Sequence, residues 1–145
     1  MVKKAKRSVA KPLAQVGALP VRQHDDGQYR ILLVTTRTTG RWTIPKGWPI
    51  KGRKAHEAAA QEAMEEAGVS GTARKRAVAQ YLYWKRMDDH FVLCRVKIYT
   101  ILVTTEHDAW PEQLERRRFW FLPADAADIV EEPGLKKVLA SLSTS

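Results

Sequence analysis

The chain has 145 residues, with 25 Lys and Arg against 16 Asp and Glu and a net charge of +9, a length that fits one domain rather than two. Its longest stretch without Asp, Glu, Lys or Arg is the ten residues 12–21, about half of a membrane-spanning helix, which argues against an integral membrane protein. The only cysteine, Cys94, excludes an intramolecular disulfide, and the basic start lacks the apolar run of a secretory signal, so a reducing, cytoplasmic location is expected.

Residues 1–11 hold Lys3, Lys4, Lys6, Arg7 and Lys11 and no acid. Residues 1–14 therefore read as a basic, disordered tail and residues 15–145 as a single folded domain. This placement of charge weakens the nucleic-acid reading that the net charge first suggests, because five of the nine charges belong to the tail. Residues 16–21 and 30–36 read as strands, with the turn signal Asp25-Asp26-Gly27 between them. A short apolar element at residues 42–45 leads into the Gly-, Pro- and Lys-rich residues 46–54. A helix follows over Ala55–Ala67, with Gly68 placed to end it in the left-handed conformation. Two β-like runs come next, residues 76–85 and 91–104, joined by the polar turn 86–90. Residues 110–116 are ambiguous, residues 118–122 read as a last strand, and residues 123–130 and 135–142 as closing helices. Strands on both sides of a helix, an antiparallel-looking pair and terminal helices give an α/β domain with a mixed sheet covered on both faces.

The functional signal is concentrated in Glu62, Glu65 and Glu66. At about 100° per residue, these carboxylates share an arc of about 100° on the helix, and Ala60, Ala63, Met64 and Ala67 form the apolar back. Ala58 falls on the acidic front one turn earlier and leaves room for an approaching group. No Lys or Arg lies three or four residues from any of the three, so the helix does not neutralise its own charge. Solvent or an external cation must do so, and Mg²⁺ or Mn²⁺ suits clustered carboxylate oxygens. Just upstream, Lys46, Lys51, Arg53 and Lys54 occur without an acid. A cationic loop beside a divalent-metal site suits a substrate with several phosphates.

These residues resemble the Nudix family. Gly47, five residues, Arg53, seven residues and then Gln61-Glu62-Ala63-Met64-Glu65-Glu66-Ala67-Gly68-Val69 follow the Nudix box, with two departures: Arg53 stands where the family has Glu, and Gln61 where it has Arg. The segments Thr35-Thr36-Arg37, Arg41-Trp42-Thr43-Ile44-Pro45-Lys46-Gly47 and Arg116-Arg117-Arg118-Phe119-Trp120-Phe121 are most similar to the branch of diphosphoinositol polyphosphate and diadenosine polyphosphate hydrolases. The resemblance implies a Nudix-type α/β/α sandwich and metal-assisted attack of water on a diphosphate linkage, with Mg²⁺ or Mn²⁺ as cofactor. It further implies that Glu62 and Glu66 bind metal with the main-chain carbonyl of Lys46, and that Glu65 is the proton acceptor. Gln61 is expected to keep a hydrogen-bonding role, and Arg53 to join the phosphate-binding loop.

Arg37, Lys46, Gly47, Lys51, Arg53, Lys54, Arg116 and Arg118 are the candidates for holding a small-molecule polyphosphate. Trp48 is a candidate substrate contact, Trp42 and Trp120 read as core, Glu57 as structural or solvated, and His56 and His90 as ordinary polar residues. The strand alternation places Arg118 and Trp120 on one face and Phe119 and Phe121 on the other. Two other functions compete: an RNA-binding module with a degenerate box, and an enzyme that removes the 5′ diphosphate of RNA. The intact Glu62, Glu65 and Glu66 favour hydrolysis of a dinucleoside polyphosphate or an inositol pyrophosphate, with nucleic acid the less favoured partner.

Overall fold

The computed structural model describes residues 11–143. Along the chain it contains β1 (Leu13–Gln23), β2 (Tyr29–Thr35), β3 (Trp42–Thr43), β4 (Lys46–Gly47), α1 (Ala55–Ala67), β5 (Val69–Ala73), β6 (Ala79–Arg86), β7 (Phe91–Glu106), β8 (Arg118–Phe121), α2 (Pro123–Ile129) and α3 (Pro133–Ser143). The sheet order is β3-β2-β1-β7-β5, with β4 on β1, β6 on β7 and β8 on β2. β1 and β7 run parallel, and the other pairs are antiparallel, so the sheet is mixed, as expected.

Alternation along the strands divides the core into two layers. Val16, Ala18, Leu32, Val34, Tyr99 and Ile101 face α1, where Ala58, Ala59, Ala63 and Ala67 pack on them. Leu19, Ile31, Leu33, Val96 and Ile98 face the opposite side, under Ala126 and Ala127 of α2 and Leu135 and Leu139 of α3. The result is the α/β/α sandwich. Pro20 sits inside the central strand β1 without breaking it. The N–H of Ala18 reaches Pro45 O at 2.9 Å, so the nitrogen of Pro20, two residues on, faces that same edge. There β1 has already left β4 and has not yet paired with β2, and no donor is needed.

α1 has the limits expected from sequence. Glu57 accepts the backbone N–H of Lys54 at 2.9 Å, which gives this residue a structural role at the helix start. At the other end Gly68 adopts φ 68°. A Cβ at Gly68 would overlap Trp110 and Arg118, so both backbone conformation and space require glycine there.

Several limits differ from expectation. β1 begins at Leu13, so Leu13 and Ala14, assigned to the tail, pair with Cys94 and Arg95; residues 1–10 lie outside the described residues. β5 has no counterpart in the expected elements. Its Ser70, Gly71 and Thr72 carry no apolar alternation, and its register shifts at Ser70/Gly71. Residues 111–115 form turns, which resolves the ambiguous segment. Among the described residues no helix is long and apolar enough to cross a membrane.

Candidate active site

α1 does not turn its acidic arc wholly to solvent. Its buried residues are Ala58, Ala59, Ala63, Glu66 and Ala67, an arc that includes part of the expected acidic front. Four alanines let the helix approach the sheet closely. Glu66 is thereby carried into the rim of the core, and Ala58 is covered rather than open. Glu62 and Glu65 lie half-buried beside it.

The loop closes over these carboxylates from β4. The backbone N–H of Lys46 donates to Glu66 Oε1 at 3.3 Å. The Glu62 carboxylate lies on Gly47, where any Cβ would overlap it, so a side chain at this position would displace the carboxylate. Glu62 and Glu66 repel each other as anions. Burial, then the charges of Glu66 and Glu65, push Glu62 up to about 8. Burial also raises Glu66, against the opposing pull of Arg116. Gln61 Nε2 donates to Glu65 Oε2 at 2.9 Å, which fixes the orientation of that carboxylate.

The expected cationic residues separate into three groups. Lys51, Arg53 and Lys54 are exposed on the loop before α1, free to meet an anion. Arg37 is exposed and pairs with Glu115 at 3.3 Å. Arg116 and Arg118 are both engaged with groups of the protein itself. Arg116 is held inside the carboxylate cluster, with its Nε on Glu112 Oε1 at 2.6 Å, Nη1 on Thr35 O at 3.1 Å and Nη2 3.4 Å from Glu66 Oε2. Arg118 donates to Ala67 O at 3.0 Å and Gly68 O at 3.3 Å and stacks on Trp110 at 3.9 Å. It neutralises the C-terminus of α1, whose last turn has no basic residue of its own.

The Lys46 side chain also departs from expectation. Its amine runs to the α2/α3 side, 3.2 Å from Thr43 Oγ1, 3.9 Å from Glu132 Oε2 and 4.9 Å from the centre of the Tyr83 ring. Burial lowers its pKa against the pull of Glu132. Trp42 meets Phe121 edge-on at 5.2 Å, and Trp120 packs on the α1-side core with Arg22 5.0 Å over its ring. Trp48 remains exposed in the loop, with Lys85 Nζ 6.0 Å from its ring.

Sequence reading missed Glu112 and Glu132. Glu112 is brought in from the turn at residues 111–115, where its N–H donates to Glu65 O at 3.1 Å. Glu132 accepts from Thr43 Oγ1 at 3.0 Å and Tyr81 OH at 3.5 Å. Neither has a local motif, since both reach the site only through tertiary contacts.

The donor set fits a hard divalent cation. Among the described residues, no three His, Cys, Asp or Glu side chains form a ready-made metal cage. The adjacent Glu62 and Glu66 carboxyls, each destabilised as an anion, match the one or two carboxylates that commonly hold Mg²⁺ while water and substrate phosphate complete its shell.

The NUDIX domain family model matches residues 11–142. Nudix hydrolase 21 (chloroplastic) of Arabidopsis thaliana is 28% identical over 128 residues, covering 86% of this chain and 63% of that protein. Nudix hydrolase 16 (mitochondrial) of the same plant is 30% identical over 113 residues, covering 76% of this chain and 63% of that protein. The chain thus spans 63% of the length of both relatives. The crystal structure of a C. elegans Ap4A hydrolase superposes with a TM-score of 0.63 at 18% identity, over 92% of this chain and 98% of that one, a likeness of fold. With the box running from Gly47 through α1 and the match extending over nearly all described residues, the chain belongs to the Nudix family.

Proposed function

We propose that the protein is a divalent-metal-dependent pyrophosphohydrolase acting on a diphosphate linkage in a highly phosphorylated small molecule, of the dinucleoside polyphosphate or inositol pyrophosphate class. The supporting observation is the pair Glu62 and Glu66, held against Gly47 and the Lys46 N–H at the foot of the loop that carries the exposed Lys51, Arg53 and Lys54. The name of the C. elegans Ap4A hydrolase lends weight to the dinucleoside member of that class.

Glu62 and Glu66 would hold Mg²⁺ or Mn²⁺, with the Lys46 carbonyl as a further oxygen. Such an ion withdraws charge from phosphoryl oxygens and makes water easier to deprotonate. Glu65, oriented by Gln61, takes a proton from the attacking water. The water oxygen bonds to one phosphorus, the bridging P–O bond breaks, and the second phosphate leaves with the bridging oxygen. Arg116 offsets the charge of Glu66 and Glu112 and keeps Glu66 in place. Lys51, Arg53 and Lys54 grip the outer phosphates, and Trp48 faces the moiety that carries them.

The test is cleavage of a panel of dinucleoside polyphosphates, inositol pyrophosphates and nucleoside diphosphate derivatives, with Mg²⁺ or Mn²⁺, followed by chromatographic separation of the phosphorylated products. Turnover of at least one polyphosphate, lost in Glu65→Gln, is expected. No metal-dependent turnover of any compound would refute the proposal.

A further inference from the structure

α1 lies over β1, β2, β5 and β7, but its cover ends before the β6–β7 hairpin. Directly opposed residues in that hairpin share a face. Tyr81 and Val96 point to the α2/α3 side, whereas Leu82 with Arg95, Trp84 with Leu93, and Arg86 with Phe91 point to the α1 side. Leu82 is 45% exposed, Trp84 64% and Phe91 60%, three large apolar side chains on an open sheet surface, where monomers rarely leave a contiguous apolar patch.

This face runs into a cavity of about 330 Å³ between the start of α1 and strands β1 and β7. Its floor is Val16, Ile50, Ala58 and Tyr99, and its cations are Arg53, Arg95 and Lys97. None of the three cations forms an ion pair among the described residues, and residues 1–10 and 144–145 contain no Asp or Glu to supply one. β1 enters beside them, with Ala14 opposite Arg95. The nearest acids on the hairpin are Asp88 and Asp89 in its turn, and Asp89 is paired with His90.

We propose that the α1-side face of the β6–β7 hairpin and its adjoining cavity form a docking surface for a single-stranded polynucleotide, whose bases stack on Trp84 and Phe91 and whose phosphates lie against Arg95, Lys97 and Arg53. Exposed aromatics interleaved with unpaired cations are the composition of a single-strand platform, because unpaired bases offer rings and a duplex does not. Charge complementarity selects a polyanion. A second copy of this face would set the same cations against one another. The surface shares Arg53 with the loop proposed to hold substrate phosphates but none of the carboxylates, so the proposal does not depend on hydrolysis.

Fluorescence anisotropy of a 12-nucleotide mixed-sequence strand with a 5′-hydroxyl, as RNA and as DNA, tests this with the full chain in EDTA. The two arms distinguish the sources. Binding should weaken with salt, with a log–log slope of about −2 or steeper for three phosphate contacts. Trp84→Ala/Phe91→Ala and Arg95→Glu/Lys97→Glu should each weaken binding tenfold or more, while diphosphate hydrolysis and melting temperature stay unchanged. The proposal is overturned by any of four results: no binding at 50 mM salt, binding unaltered in both double variants, equal binding of a duplex, or retention on anionic phospholipid vesicles without oligonucleotide binding. A dimer of the free protein that is lost in Trp84→Ala/Phe91→Ala would likewise overturn it, by assigning the face to self-association.

Discussion

Replacing Glu62 by Gln keeps the shape of the side chain and removes the carboxylate that burial, Glu66 and Glu65 push up to about 8 from an ordinary 4.5. Between those two values the folded protein binds more protons at this position than the unfolded chain, so stability must fall as pH rises from about 4.5 through about 8. At about 1.4 kcal/mol per tenfold change in proton affinity, the displacement is worth at most about 5 kcal/mol. Solvent screening of the half-buried carboxyl and its dependence on the charge of Glu66 reduce this to about 2 kcal/mol. Thermal melts of wild type and E62Q in EDTA should therefore coincide near pH 4.5. By pH 9 they should separate, with E62Q higher by about 6 °C for a domain of this size. Adding Mg²⁺ at pH 9 should raise the wild type and leave E62Q unmoved. A difference that is independent of pH, or a wild type that gains on E62Q with rising pH in EDTA, would refute the assigned proton balance.

Gly47→Ala places a methyl group in the space of the Glu62 carboxylate, and steady-state kinetics should show kcat reduced about 100-fold with little change in melting temperature. Arg118→Ala uncaps the C-terminus of α1; denaturant titration should show a loss of about 2 kcal/mol, with KM unchanged because the guanidinium is engaged with the carbonyls of Ala67 and Gly68. Lys51→Glu and Arg53→Glu should raise KM for long polyphosphates more than for short ones, and equal losses for both would argue against a phosphate-gripping loop.

The helix carrying the site was legible because its limits are set locally, by a run of helix-forming residues and by Gly68. Its rotation was not. Spacing identifies which residues share a face, but small alanines at positions 58, 59, 63 and 67 determine which face approaches the sheet, and they take Glu66 inward with them. β1, β2 and β7 were visible through their apolar runs, whereas β5 was hidden because an edge strand with Gly71 and Thr72 needs no alternating pattern. Arg116 and Arg118 illustrate the limit of reading charge from sequence. They look like a surface basic run, yet one is enclosed by Glu66 and Glu112 and the other by helix carbonyls and Trp110. The carboxylates that hold Arg116 lie in α1 and in the turn at residues 111–115, and only the fold brings them together.

The most direct measurement of the proposed activity is hydrolysis of a dinucleoside tetraphosphate in ¹⁸O-labelled water by the full chain, with Mg²⁺, with EDTA and as Glu66→Gln. Mg²⁺-dependent turnover with one ¹⁸O in a phosphate product, abolished by EDTA and reduced at least 1,000-fold, about 4 kcal/mol, in the variant is expected. Turnover that survives EDTA, or that Glu66→Gln leaves intact, would contradict a metal-dependent site built on Glu62 and Glu66.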